Sequence, residues 1–491
     1  MSEPVTTTKH PYYGQEASLR LHILVIGCGL GGLAAAHCLT QAGHEVTIIE
    51  AAKRISEVGA GIQVSPNVTR LLERWGLKDR LAEVGVEPES IVFRRYDNGN
   101  IVGRSHWGEV MRRRHGAPYY HVHRADLHDL IYDTAIASPR VKLRLSSTVS
   151  TVDPTPKPQV SVTLTSGEVI SGDIIVGADG VKSIVRTVVL GRPDKAEPTG
   201  DAAYRAIIPT SLMLEDPELK PFVDSPEMTA WMAPRRHLMA YCIRGKKEFN
   251  LVMIHPDGGS VESWTAEGSA EKLREDFADY DPRIHKLLSF VQSTLDWRLM
   301  DRKPLETWVH PDGRVVLLGD SCHPMLASAS NTVMPKERGL TRIFSQPYRA
   351  QGAAMAIEDA AVLGSLLSHL SHISQIPILL KAYEKLRLER TAKTQASSRR
   401  NQRIFHLPDG PEQQARDKLM REAMELENEC MKNGDLAQQE NVTKGNPNQW
   451  ADQSLNIEQF SFDADEVAEI WWKEEGEASL RESRENEALV A

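Results

Sequence analysis

An α/β fold is predicted by three stretches of this chain, each an apolar run that breaks at glycine. Ile23-Leu24-Val25-Ile26 enters Gly27-Cys28-Gly29-Leu30-Gly31-Gly32, Asp173-Ile174-Ile175-Val176 enters Gly177-Ala178-Asp179-Gly180, and Val315-Val316-Leu317-Leu318 enters Gly319-Asp320-Ser321-Cys322-His323-Pro324. Short β-type runs alternating with helical spacing imply strands joined by crossover helices.

The first stretch has a mechanical reading. Leu30 to Thr40 has helical spacing, so the order is strand, tight turn, helix, a Rossmann-type unit. Gly27 permits the turn, Gly29 lets the backbone approach a pyrophosphate, and Gly32 lets helix and strand pack closely. Phosphates then rest on the unpaired N–H groups of the helix start. A second apolar run, Val46-Thr47-Ile48-Ile49, ends in Glu50, 18 residues after Gly32. That is near the roughly 20 at which an acidic side chain reaches the ribose hydroxyls of an adenosine. A carboxylate there favours an unphosphorylated ribose. Taken alone, the unit fits FAD and NAD equally.

Val160 to Val169 and Asp173 to Val176 read as strands leading into Asp179, with Ser183 and Arg186 following. With its three motifs in this order, the chain resembles the group A flavoprotein aromatic monooxygenases, the class of para-hydroxybenzoate hydroxylase and salicylate hydroxylase, and most closely the fungal salicylate hydroxylase-like enzymes. The resemblance covers roughly residues 20 to 410. It implies FAD as cofactor, with Asp179 and Gly180 beside both FAD and the pyridine nucleotide, and Asp320 on the ribityl and ribose side of FAD. Two further segments match. Glu57 to Gln63, which includes Gly61, resembles the loop along the flavin, and His123-Arg124-Ala125-Asp126-Leu127 resembles the segment whose arginine faces the FAD phosphates. A planar, permanently charged guanidinium suits a pyrophosphate, which makes Arg124 the expected clamp. His121 and His123 are expected on a strand surface rather than as metal ligands, and no metal is expected.

One segment breaks the pattern. Gly319 to Leu326 and Pro347 to Ala360 both match, but Ala327 to Gln346 stands between them. Without it the spacing from Asp320 to Gly352 falls from 32 to 12, the family's interval. Gly352 and Ala353 would then offer backbone N–H groups to the flavin pyrimidine edge. The twenty codons are expected to be a translated intron: Ala327-Ser328 permits a GCAAGT donor, Leu340-Thr341 a CTAAC branch point, and Gln346 a terminal CAG. The alternative is a surface lid beside the site.

Composition sets the remaining bounds. The 491 residues are 41% hydrophobic and 25% charged, ordinary for a globular chain, and no run of about 20 apolar residues could span a bilayer. The cytoplasm is the expected compartment. Cys28, Cys38, Cys242, Cys322 and Cys430 form neither a disulfide framework nor a zinc spacing. Net charge is −9, yet residues 411–491 carry 20 acidic and 8 basic side chains, so the rest of the chain is slightly basic without a concentrated stripe. That argues against a nucleic-acid partner. In this tail Glu422 to Glu429 reads as helix, Gly445 to Gln453 as linker, and Val467 to Trp472 as an apolar anchor with a solvated acidic face around it.

The resemblance therefore implies a Rossmann-type, glutathione reductase-like FAD-binding domain with an inserted α+β substrate domain and a C-terminal helical, acidic tail. Expected bounds are a flexible N-terminus at 1–20, an FAD domain from 21–75, 100–189 and 306–400, a substrate domain from 76–99 and 190–305, the insertion 327–346, and a tail from 401–491. Ala203 to Ile208 and His237 to Ile243 read as strands roofing the flavin, and Tyr383 to Arg403 as a long helix. The implied chemistry is that NADH or NADPH reduces FAD, oxygen adds at flavin C4a, and one oxygen atom passes to a phenolic or aromatic ring, in secondary metabolism or aromatic catabolism. Arg205 resembles the arginine that holds the substrate phenolate. His237 and Tyr241, four apart and so on one face of a strand, are the further candidates for orienting it. An FAD-dependent epoxidase or oxidase on a non-phenolic metabolite, or a product inactivated by the insertion, stays open as an alternative.

Overall fold

The computed structural model describes residues 14–55, 60–260, 267–324, 351–433 and 444–481. The insertion 327–346 and residues Glu57 to Gly59 of the flavin-type loop lie outside them.

Five strands form one parallel sheet in the order Val315–Leu317, Ile174–Gly177, His22–Ile26, Glu45–Ile49, Val141–Arg144. The apolar runs of the first four are buried on both faces, as a parallel sheet covered by helices requires, and the edge strand Val141–Arg144 is partly exposed. Leu30–Gln41 and Gly352–Leu367 pack against each other there, with Gly364 Cα so close to Cys38 that a Cβ would lie 2.6 Å from it. The expected single strand Val160 to Val169 is instead two, Val160–Leu164 and Val169–Gly172. They form an antiparallel hairpin because Ser166 and Gly167 (φ +87°) turn the chain between them.

An eight-stranded mixed sheet forms the second layer. Glu197–Pro209, Glu248–Pro256, Arg236–Ile243 and Glu227–Ala233 lie at its centre, Thr294–Asp301 flanks Glu197–Pro209, and Ser90–Arg95 pairs parallel to Glu227–Ala233. Ile101–His106 closes its edge, so this sheet crosses the boundary expected at position 100. Between the two layers runs a two-stranded ribbon, Gly61–Val64 against Tyr120–His123.

The long helix extends from Ile376 to Phe405. One of its guanidiniums, Arg387, is fully buried between Glu358 (2.6 Å) and Asp359 (2.7 Å) of the neighbouring helix. Burial pushes both carboxyls up, but the surrounding cations outweigh it and hold them below their usual range.

The tail corrects two expectations. Its first helix spans Pro411–Asn433, and the segment read as a linker is packed, with Asn448, Gln449, Trp450, Ala451 and Asp452 all buried. Trp450 stacks on Phe405 and packs at a tilt against Phe93, which a mobile linker could not do. The acidic face is in part partnered rather than solvated: Arg74 holds both Asp463 and Asp465, and His369 meets Glu469 at 2.7 Å, while Glu466, Glu474 and Glu477 are exposed. Asp465 gains little from this. Burial pushes its carboxyl up to about 6 despite Arg74, with Asp463 and Glu469 adding repulsion. A folded pKa above the unfolded one favours folding at low pH, and that contribution is lost as pH rises through about 6. Asp465→Asn is therefore expected to flatten the fall in urea-unfolding stability between about pH 4 and pH 6. A variant less stable than wild type at pH 8 would show that pairing outweighs burial.

Candidate active site

All three glycine turns lie at the carboxyl ends of adjacent strands of the parallel sheet. From His22–Ile26 the chain passes to Glu45–Ile49 on one side and later returns to Ile174–Gly177 on the other, so strand order reverses between Gly27 and Ala178. Ligands of open α/β sheets sit at such a reversal. Gly27 has φ +104°, and a Cβ there would lie 2.4 Å from the Ala178 carbonyl oxygen; a Cβ at Gly32 would lie 2.1 Å from that of Gly27. The protein itself demands these two glycines. Gly29 is different: its backbone is ordinary (φ −77°, ψ −176°) and a Cβ would meet no protein atom within 4 Å. The helix beginning there has no side-chain cap and no acidic residue in its first turn, which leaves its positive end suited to phosphate.

Around this turn the side chains are already placed. Glu50 accepts from Cys28 N and Ala52 N, both at 2.8 Å, and His128 Nε2 meets the Cys28 carbonyl at 2.9 Å. Asp179 Oδ2 accepts from Ile184 N at 2.8 Å. Its Oδ1 is buried without a hydrogen-bond partner among the described residues, and burial raises this carboxyl's pKa. Gly180, at φ +71°, turns the chain beside it. Arg124 donates its backbone N–H to Ala60 O at 2.8 Å. Burial lowers its guanidinium pKa, while the Asp320 carboxylate acts in the opposite direction. Gly319 N donates to Asp359 Oδ2 at 3.0 Å, and the helix Gly352–Leu367 begins at the two residues expected to face a flavin edge. An open glycine at a bare helix start, an orphaned carboxylate oxygen and a desolvated guanidinium fit FAD, with its pyrophosphate and ribityl hydroxyls.

The ribbon carries this site to the second sheet. Gly61 N donates to Asn250 Oδ1 at 2.8 Å, and a Cβ at Gly61 would lie 2.6 Å from both Asn250 Cγ and Tyr241 Cε2. Behind that contact, Tyr119 donates to Gln63 Oε1 at 2.5 Å. Burial pushes Tyr241 up to about 12 against the opposing pull of Arg205 and a hydrogen bond with Gln63. Arg205 lies 5.3 Å over the Trp297 ring. Its Nε has no hydrogen-bond partner among the described residues, and burial lowers its pKa.

His121 and His123 are not on a strand surface. They are 0% and 5% exposed, because their ribbon is held between the layers. His121 stands 4.3 Å from the Tyr241 ring and is pushed down to about 3 by burial, which keeps it neutral. His237 and Tyr241 share one face of the strand Arg236–Ile243 but have different neighbours: His237 meets His406 Nε2 at 2.9 Å and packs on Phe405, while Tyr241 lies against Gly61. Cys322, His323 and Asp359 approach one another closely enough for a cation. Asp359 already accepts from Arg387, His323 and Gly319 N, so its oxygens are engaged.

A groove of about 690 Å³ opens beside the Asp179-Gly180 turn, lined by Lys182, Lys195, Arg302, Asp194, Ser150 and Thr151. Of its cations, Arg302 is paired with Asp194 at 2.9 Å.

Sequence reasoning missed Asn250 and Tyr119, which carry no local signal, and placed Gln63 in the flavin-type loop without foreseeing its bond to Tyr119. It also missed His128, which had one: it lies four residues after Arg124, one helical turn along the same face.

Residues 20–335 match a family described as an FAD binding domain. The FAD-dependent monooxygenase OpS4 of Beauveria bassiana is 37% identical over 417 residues, 83% of this chain and 91% of that protein. The 3-hydroxybenzoate 6-hydroxylase of Klebsiella oxytoca is 32% identical over 399 residues, 81% of this chain and 92% of that protein. Among solved structures, CtdE in complex with FAD and a substrate superposes with a TM-score of 0.71 at 19% identity, covering 92% of this chain and 98% of that one. A salicylate hydroxylase substrate complex gives 0.66 at 22%, covering 88% and 98%.

Proposed function

This chain belongs to the FAD-binding-domain family of flavin-dependent monooxygenases, and from that premise we propose that it hydroxylates a phenolic small molecule, using NADH or NADPH and O2. FAD, when bound, would relay the donor's electrons to dioxygen, so that one oxygen atom of O2 enters the ring and the other leaves as water. The chain's own work is to hold, orient and exclude water. In this reading the helix start at Gly29 and the Arg124 guanidinium hold the pyrophosphate, Glu50 the ribose, and Asp320 the ribityl side. Asp179 and Gly180 border the site, and the N–H groups of Gly352 and Ala353 meet the flavin edge.

The observation that carries the proposal is that Arg205 and Tyr241 project from one face of the second sheet, on either side of the strand Glu248–Pro256, with Tyr241 against the Gly61 ribbon. A desolvated cation lowers the pKa of a phenol placed against it and so makes its ring more nucleophilic. Tyr241, fixed by Gln63, orients that ring, and His237 has a supporting place in the sheet. Phenols should accelerate NAD(P)H oxidation by the FAD-loaded protein while their methyl ethers do not. Equal acceleration by ethers or by alkenes would contradict a phenolate mechanism.

We assign the groove beside Asp179 to the pyridine nucleotide. Lys182→Glu combined with Lys195→Glu should raise KM for the donor roughly tenfold, about 1.4 kcal/mol, with FAD content unchanged. An unaltered KM would move the donor elsewhere.

A further inference from the structure

We infer that the acidic tail is part of the flavin site, and that Gln459 is the positioning residue through which it acts. Gln459 lies on the tail helix Gln453–Phe460, outside the family match at 20–335. Its Nε2 donates to Gln351 Oε1 at 3.1 Å, and its own carbonyl oxygen Oε1 accepts from Thr394 at 3.3 Å. Gln351 is the residue from which the helix Gly352–Leu367 starts, and its Nε2 donates to Ser65 Oγ at 3.0 Å. Ser65 follows directly on the ribbon strand Gly61–Val64. A single carboxamide thus links three elements: the flavin-edge helix, the flavin ribbon and the tail. All three partners are buried, at 5% exposure or less, so a lost bond leaves a polar atom stranded.

The next residues of the tail are equally committed. Phe460 sits edge-on to Tyr119, the partner of Gln63, with ring centroids 6.0 Å apart. Arg390, which also holds Glu358 at 2.7 Å, donates to the carbonyls of Glu458 and Gln459 and covers the Phe462 ring at 3.7 Å. Asp463 is clamped by Arg74. Residues 459–463 therefore form a strap along the wall of the site, anchored at its far end by Arg74. These bonds hold the residue from which the helix starts, and so its first N–H groups, those assigned above to the flavin edge. This inference rests on that assignment.

The test uses the full-length chain. Gln459→Met keeps the length of the side chain and removes its amide, and Gln459→Asn keeps the amide and shortens it. Asp463→Asn is the comparator, loosening the strap without touching Gln351. FAD affinity is measured by fluorescence quenching, the bound flavin by its visible spectrum, and folding by thermal unfolding of the flavin-free protein. Gln459→Met and Gln459→Asn should each weaken FAD binding about tenfold and shift the spectrum of the bound flavin. Asp463→Asn should leave that spectrum unchanged. Equal affinity in all variants, or equal spectral change in Asp463→Asn, overturns the inference in favour of general docking. Failure of the wild-type chain to bind FAD would instead overturn the flavin-site assignment beneath it.

Discussion

Gly29→Ala is expected to weaken flavin binding strongly without unfolding the protein. The backbone at Gly29 is in an extended region open to any residue, and a methyl group there meets no protein atom. Its cost to folding should fall within about 0.5 kcal/mol, as for substitutions that touch nothing. The same methyl would occupy the space through which a pyrophosphate reaches the helix start. FAD affinity should therefore fall on the order of 100-fold, about 2.7 kcal/mol. Gly32→Ala is the informative contrast, since its methyl would lie 2.1 Å from the Gly27 carbonyl oxygen whether or not a ligand is bound. It should lose roughly 1–3 kcal/mol of stability through overpacking. Calorimetry of both flavin-free variants separates the cases. If Gly29→Ala melts as low as Gly32→Ala, the glycine at 29 serves the fold and not the cofactor.

Arg205→Gln should lower kcat/KM for a phenol on the order of 10²–10³-fold, the range for removing one donor that stabilises developing charge. FAD content should stay at the wild-type level, because Arg205 sits on the Glu197–Pro209 strand of the second sheet and not among the residues assigned to the cofactor. The pH profile makes the claim specific. A cation beside the phenol lowers its pKa, so wild-type activity should rise with pH at a lower value than in the variant, whose rise should move up toward the ordinary phenol range near about 10. Arg205→Lys should recover only part of the rate, since an ammonium cannot reproduce the planar guanidinium over Trp297. Loss of rate with no displacement of the pH profile would make Arg205 a packing residue.

What the sequence disclosed follows from where the constraints are local. Gly27, Gly32, Glu50 and the strands around them could be named because turn geometry and close packing restrict single positions. The three motifs could be ordered because each follows its own strand, and the parallel sheet sets those strands side by side. The roles of Asn250, Gln63 and Tyr119 could not be found that way, since they arise only when the ribbon docks on the second sheet. His121 was misplaced for a related reason: alternation within a strand says nothing of a second layer above it. The tail was misjudged because its acidic surplus reads as solvated, whereas Asp463, Asp465 and Glu469 meet Arg74 and His369 from distant parts of the chain. The buried acids Glu358 and Asp359, set in an otherwise apolar helix, carried a signal that Arg387 explains.

The most direct test is the visible absorption spectrum of the full-length chain after mixing with FAD and removing unbound cofactor by gel filtration. The site described here predicts the resolved bands of oxidised, protein-bound flavin, close to one per chain, bleached when NADH or NADPH is added without oxygen and faster with a phenol present. A chain that is folded by circular dichroism yet elutes colourless from excess FAD would contradict it.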